Sequence, residues 1–210
     1  MKNKTSLFML LFLFFILLLN GCSAEKPPVK PDTVTPPEES LSSFLPLKVG
    51  NNWVYEGIGN EYAAYTQEVL YQKDNTYQVM VNNGGTVAAN RYELKEDSIK
   101  VTYREGENYD NKNILGEPAN TDGTVLKQPL KIGNSWVSEG NTYEIIQKDA
   151  SVEVPAGTFT DCLVIKVVYK EGDNESYYYY KEGIGLIKSE FKIPGEASII
   201  SQLKKYTLSL

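Results

Sequence analysis

Carboxylates, tyrosines and one internal cysteine are the residues of this chain able to do chemistry. Glu93, Glu96, Asp97, Glu105, Glu107, Asp173 and Glu175 stand between the hydrophobic runs. A glycosidase needs only two carboxyl groups at the right separation, but solvated surface acids give the same pattern. Cys162 follows Asp161, whose charge disfavours a thiolate, so a buried inert thiol is expected. No histidine occurs anywhere. That removes Ser-His-Asp and Cys-His catalysis, histidine-built zinc sites and histidine proton shuttles. Tyr177 to Tyr180 are four successive tyrosines. In a strand Tyr177 and Tyr179 share one face, which makes them a candidate ligand face beside the plainer reading of core and rim packing. Asp110 to Asn113 and Asn120 to Gly123 both fall short of the calcium-loop pattern, and no phosphate loop or dinucleotide fingerprint is present. No metal and no cofactor is expected.

The start of the chain carries one further reactive residue. Lys2 and Lys4 precede an unbroken apolar run of 13 residues, Leu7 to Leu19. This suits a signal peptide and is short of the roughly 20 residues of a spanning helix. Leu19-Asn20-Gly21-Cys22 resembles the lipobox of bacterial lipoproteins. The resemblance implies cleavage between Gly21 and Cys22 and a diacylglyceryl group, with palmitate-type acyl chains, on the Cys22 thiol. Two acyl chains anchor firmly where one does not. Residues 1–21 are therefore read as signal peptide and residues 22–43 as lipidated cysteine and tether. Five of the ten prolines fall in that tether, which has almost nothing apolar to bury. Its 21 residues from Ser23 to Ser43 reach at most roughly 65 Å in polyproline geometry.

Without residues 1–21, which hold two lysines and no acids, the chain carries 19 basic and 27 acidic residues, a net charge of −8. Nucleic-acid binding rests on basic phosphate contacts and is not expected. Cys162 is the one cysteine besides the anchor, so stability must come from a core and not from disulfides.

Residues 44–210 form that body, read as a single β domain. Helical periodicity is nearly absent apart from a short helix expected at Glu38 to Phe44. Alternating or β-branched and aromatic runs recur instead: Thr76 to Val81, Ser98 to Tyr103, Ser151 to Val154 and Cys162 to Lys170. Leu163, Ile165, Val167 and Tyr169 would share one face. Glu171 to Glu175 has hairpin-turn composition, and strands follow through Tyr177–Tyr180, Gly185–Phe191 and Ser198–Leu208. Many short strands without crossover helices predict an all-β fold, a curved antiparallel sheet closing into a half-barrel or barrel.

One phrase occurs twice. Pro46 to Gly57 reads PLKVGNNWVYEG and Pro129 to Gly140 reads PLKIGNSWVSEG, alike at all but three of twelve positions. In each copy the Leu-Lys-Val/Ile run is expected to be extended. Gly50 or Gly133 then takes a positive φ, and Trp53 or Trp136 begins a strand. This internal repeat is read as two equivalent corners of two related halves, about residues 44–110 and 125–192. Asp110 to Gly123 is read as an irregular connection between them. Gly157 and Gly185 are expected at tight turns.

The PLK-x-G-x-x-W corners, VPAGTF-x-DC (Val154 to Cys162) and GIGLIK-x-E (Gly183 to Glu190) together resemble a group of uncharacterised bacterial lipoproteins. The resemblance implies a curved sheet similar to the periplasmic lipoprotein carriers, whose half-barrels hold acyl chains. The expectation is a non-enzymatic, extracytoplasmic lipoprotein of the cell envelope, bound to membrane lipid through Cys22. It would hold a small or amphiphilic ligand on a concave sheet. The alternative is a structural or protein-interaction module of the envelope. A wall-polysaccharide hydrolase using two carboxylates ranks lowest.

Overall fold

Leu163, Ile165 and Val167 are buried on one face of a strand, as their alternation requires, and Cys162 and Val164 are buried on the other. A strand covered on both faces sits inside a rolled sheet. The computed structural model describes residues 39–209. The signal segment, Gly21, Cys22 and residues 23–38 lie outside the described residues. A short helix α1 (Leu41–Phe44) is followed by twelve strands. These are β1 (Asn52–Ile58), β2 (Tyr65–Lys73), β3 (Thr76–Asn82), β4 (Val87–Leu94), β5 (Ser98–Glu105) and β6 (Gly123–Lys127). Then come β7 (Ser135–Ser138), β8 (Asn141–Val154), β9 (Gly157–Val168), β10 (Glu175–Lys181), β11 (Gly185–Lys192) and β12 (Ile199–Thr207).

All twelve belong to one sheet, in the order β6-β5-β4-β3-β2-β1-β12-β11-β10-β9-β8-β7. Every adjacent pair is antiparallel. The fold is thus an all-β, nearly closed antiparallel barrel made of two six-strand meanders. The ladder between β1 and β12 joins the meanders, and β6 and β7 are left as the two ends of the order. The irregular segment after β5 joins β5 to β6, so it lies within the first meander and not between the two.

Side chains close the gap that the ladder leaves. Thr124 N of β6 donates to Ser138 Oγ of β7 at 2.6 Å, and Trp136 Nε1 donates to Thr124 O at 3.1 Å. Arg104 of β5 reaches Glu139, just past β7, with both guanidinium arms at 2.7 and 3.1 Å. Thr121 Oγ1 donates to the same carboxylate at 2.5 Å.

The repeated phrase builds two corners that share their main hydrogen bonds. Asn51 Nδ2 donates to Pro46 O at 2.7 Å, and Asn134 Nδ2 donates to Pro129 O at 2.9 Å. Lys48 N and Lys131 N donate to those same proline carbonyls, and Asn51 N and Asn134 N donate to Lys48 O and Lys131 O. Gly50 and Gly133, at φ 88° and 85°, occupy the third turn position, where only a residue tolerant of positive φ fits. The run before each glycine is consequently folded into two successive tight turns and not extended. The turns expose Val49 (45%) and Ile132 (65%), while Leu47 and Leu130 are buried.

Strand alternation places both corners at one end of the barrel, the near end. Glu39 belongs there too, since its carbonyl accepts from Gln128 Nε2 in the β6–β7 loop at 2.7 Å. Near the close of the chain, Ser209 N donates to Asn51 Oδ1 at 2.7 Å. The turns before β2, β4, β6, β8, β10 and β12 form the far end.

Two apolar clusters fill the body. One holds Trp53, Tyr55, Val69, Val79, Ile187 and Leu203 with Val152 and Val154 from the long β8–β9 hairpin. The other holds α1 through Leu41 and Phe44, with Ile99, Leu126, Trp136, Ile145, Ile165 and Tyr180. That hairpin is tied down where Ala156 N donates to Leu203 O at 2.9 Å. Apolar area removed from water at about 25 cal/mol per Å² stabilises such a core without a disulfide.

Candidate functional site

The expected ligand cavity would be lined by the inward side chains, so these come first. Trp53 Nε1 donates to Ile184 O at 2.7 Å and Tyr55 OH donates to Leu186 O at 2.8 Å. Tyr55 stacks on Tyr65 with ring centroids 4.5 Å apart. Burial pushes the Tyr55, Tyr92 and Tyr180 hydroxyls above the ordinary tyrosine range. The gap bounded by Leu45, Leu47, Trp53, Tyr55, Val79, Tyr92 and Leu186 measures about 10 Å³. That is no more than one water requires. Gly185 (φ 105°) lies against this packing, where a Cβ would stand 3.4 Å from Pro46 Cδ and 3.6 Å from Trp53 Nε1. Gly157 (φ 134°) turns the β8–β9 hairpin in open space. The two tryptophans are core residues, 3% and 6% exposed.

The far end is open instead. A cleft of about 530 Å³ lies between the β7–β8 turn (Glu139, Gly140, Asn141), the β9–β10 loop (Tyr169, Lys170, Glu171, Asn174) and Phe191. Tyr169 meets Phe191 edge to face at 5.6 Å, and its hydroxyl shares a 2.9 Å hydrogen bond with Ser176 Oγ. Lys170 N donates to Asn141 Oδ1 at 3.1 Å, tying the two loops together. On the other side of the β9–β10 loop a second cleft, about 370 Å³, is lined by Asp173, Glu175, Lys192, Ile193, Pro194, Glu196 and Ser198. Exposed apolar residues surround this end: Val137 (71%), Tyr109 (60%), Tyr62 (58%) and Ile58 (48%).

Strand β10 sends its tyrosines both ways. Tyr178 and Tyr180 face the second core cluster, and Tyr177 and Tyr179 lie partly buried against the first. Tyr177 and Tyr179 therefore do share a face, beside the second cleft, and that face carries lysines. Lys192 Nζ stands 4.4 Å and Lys166 Nζ 5.9 Å from the Tyr177 ring centroid, and Lys188 Nζ 5.3 Å from that of Tyr179. Tyr177 OH donates to Glu175 Oε2 at 2.7 Å, and Lys166 pairs with Glu175 Oε1 at 2.6 Å. Lys166 first, then Tyr177, holds the Glu175 carboxyl below its usual range. Arg104 first, then Thr121, does the same to Glu139. The signal for the lysines was available in sequence, because Lys166, Lys188 and Lys192 alternate with apolar residues on neighbouring strands. Their meeting at Tyr177 depends on register, which a single sequence does not display.

No protein-family profile and no curated protein sequence matches the chain. Among solved structures, one described as an exported protein with a YmcC-like fold, from Bacteroides fragilis, is similar. It shares 11% identity over 77% of this chain and 97% of its own, with a TM-score of 0.48. A structure described as a lipoprotein, from Parabacteroides distasonis, shares 15% identity over 77% and 96%, with a TM-score of 0.45. Scores below 0.5 are loose likenesses, and nothing about function follows from them.

Proposed function

We propose that this chain is an extracytoplasmic lipoprotein, anchored through Cys22, whose body is a non-enzymatic contact module of the cell envelope. The lipobox-like start supports the anchor. The observation that carries the module reading is the close packing around Trp53 and Tyr55, where the gap is about 10 Å³. An amphiphile carrier needs a pocket of several hundred Å³ on its concave face. The two open clefts lie at the far end, beside the exposed Tyr62 and Tyr109, and Glu39 lies at the opposite end. The hydrolase reading finds little support in the clefts. A general acid needs a raised carboxyl pKa, and Glu139 and Glu175 are both lowered.

Native mass spectrometry of residues 39–210, purified without detergent, tests this reading. The expected result is the bare chain mass, unchanged after incubation with envelope lipid extract. A stoichiometric lipid adduct would return the carrier reading to first place. Photo-crosslinkers at Asn174 and at Asp74 then compare the two ends in living cells. The far-end position should give the discrete product; crosslinking from Asp74 alone would overturn the assignment of the contact surface.

A further inference from the structure

The larger far-end cleft, about 530 Å³, falls in the size range of small-ligand sites. Neighbouring strands build its aromatic corner. Phe191 of β11 pairs with Ser176 of β10. Ser176 Oγ shares a 2.9 Å hydrogen bond with the Tyr169 hydroxyl, and the tyrosine ring stands at 89° to that of Phe191. Tyr169 N donates to Asn174 O at 3.3 Å, which folds the β9–β10 loop back on itself. The β7–β8 turn adds bare backbone at Gly140 (φ 84°), where a Cβ would stand 3.4 Å from Lys170 Cδ.

Most polar groups of the cleft are uncommitted. Asn141 accepts from Lys170 N through its oxygen, at 3.1 Å, and keeps its amide N–H groups for a ligand. Among the described residues the side chains of Asn174, Lys170 and Glu171 make no hydrogen bond or ion pair. Glu139 differs, because Arg104 takes both of its oxygens.

Charge and lining narrow the ligand class. The far-end turns (residues 59–64, 83–86, 106–122, 139–140, 169–174 and 193–198) hold nine acidic and two basic residues. Such a field repels ligands that carry phosphates or carboxylates. A lipid chain would leave the amides and charges of the cleft unpaired. Sugar hydroxyls both donate and accept, as two side-chain amides require. The C–H face of a sugar ring also lies well on the negative face of an aromatic ring. An acetamido group adds a methyl for the rings and an N–H for a carboxylate. The geometry points to a glycan site in this cleft, selective for neutral acetamido sugars. Tyr169 and Phe191 pack on the sugar, and Asn141, Asn174 and Glu171 bond its hydroxyl and amide groups. The assignment rests on the reading of the far end as the contact face and gives that face a partner, an uncharged stretch of envelope polysaccharide.

The test uses the full mature chain in detergent micelles. The probe is the β-1,4-linked tetramer of N-acetylglucosamine, with maltotetraose beside it. Calorimetric titration should show one saturable site for the acetamido tetramer and weaker binding of maltotetraose. Saturation-transfer NMR should find the strongest transfer on the acetyl methyl protons. Asn174→Ala removes a side chain that makes no bond within the protein, so the fold is retained. Its affinity should fall about three- to tenfold. Phe191→Leu keeps apolar bulk and loses the ring, with a similar fall. Lys192→Ala, in the second cleft, should bind like the wild type. No saturable binding of the acetamido tetramer by the wild type would overturn the glycan site, while crosslinking from Asn174 in cells would still support the contact face. Unchanged affinity in Asn174→Ala, or lost affinity in Lys192→Ala, would overturn it by putting the sugar elsewhere. Equal binding of maltotetraose would overturn the selectivity for acetamido sugars.

Discussion

Arg104 and Glu139 form a two-armed ion pair, 2.7 and 3.1 Å, across the one place in the barrel where neighbouring strands share no ladder. Parallel guanidinium–carboxylate bonds fix geometry as well as charge. The pair is partly exposed, so screening limits its worth to about 0.5–1 kcal/mol. A double-mutant cycle of Arg104→Gln and Glu139→Gln in urea should give a coupling of that size. Arg104→Lys should lose most of it, because an ammonium cannot reproduce the fork. Additive single effects would show that the pair does not hold the seam.

The pH dependence follows from the two lowered carboxyls. Glu139 is held below its ordinary value of 4.5 chiefly by Arg104, and Glu175 chiefly by Lys166. A depressed folded-state pKa gives stability that is present above the unfolded value and lost as pH falls through the folded one. The urea midpoint should thus begin to fall below about pH 4.5. The Glu139→Gln, Glu175→Gln double variant should fall less steeply over that range. Parallel curves for the two proteins would place the acid sensitivity in other groups.

Gly57 is a position that admits no side chain. A Cβ there would stand 2.4 Å from Ala64 N and 2.5 Å from Ala63 C, both backbone atoms of the β1–β2 corner. Gly57→Ala should cost about 3 kcal/mol or prevent folding. Gly133→Ala meets nothing within 4 Å and only the strain of φ 85°, about 1–2 kcal/mol. Chemical denaturation of both variants checks the order, and equal costs would contradict the close approach at Gly57.

Cys162 is fully buried, and burial, ahead of Asp161, raises its thiol pKa. The folded body should leave a thiol reagent almost unconsumed at neutral pH, with one equivalent reacting on unfolding. Rapid labelling in the absence of denaturant would show that the β8–β9 hairpin opens readily.

Strand content was legible because alternation is a local property. The stretches from Thr76, Ser98 and Gly185 all became strands near their expected bounds, and the turn before Tyr177 fell where its Gly-Asp-Asn composition placed it. Tyr169 lies just past the end of β9, which stops at Val168, yet it packs against the same apolar cluster as Leu163, Ile165 and Val167, the face it was grouped with. The PLK corner was misjudged as extended, since its turns are set by side-chain bonds from Asn51 and Asn134 that come after the run. The clefts were invisible, being made by the β7–β8 turn, the β9–β10 loop and Phe191, which only the rolled sheet brings together. Gln78 and Arg91 gave no signal as holders of the β5–β6 loop, whose backbone they bond; each reads as an ordinary polar residue of a half-exposed strand.

The two junctions between the meanders are opposites. At β1–β12 the backbone is fully laddered but the polymer is not continuous. At β6–β7 the polymer runs straight across but no ladder forms. The molecule is therefore hinged like a book, with β1–β12 as its spine and β6 and β7 as the fore-edges of its covers, clasped by Arg104, Thr124, Ser138 and Glu139. Thermal breathing should begin at the clasp, with amides of β6 and β7 exchanging with solvent first and those of β1 and β12 last. A partially open copy would show two bare strand edges at once, and those edges set the route by which this chain would pair with a neighbour or begin to aggregate.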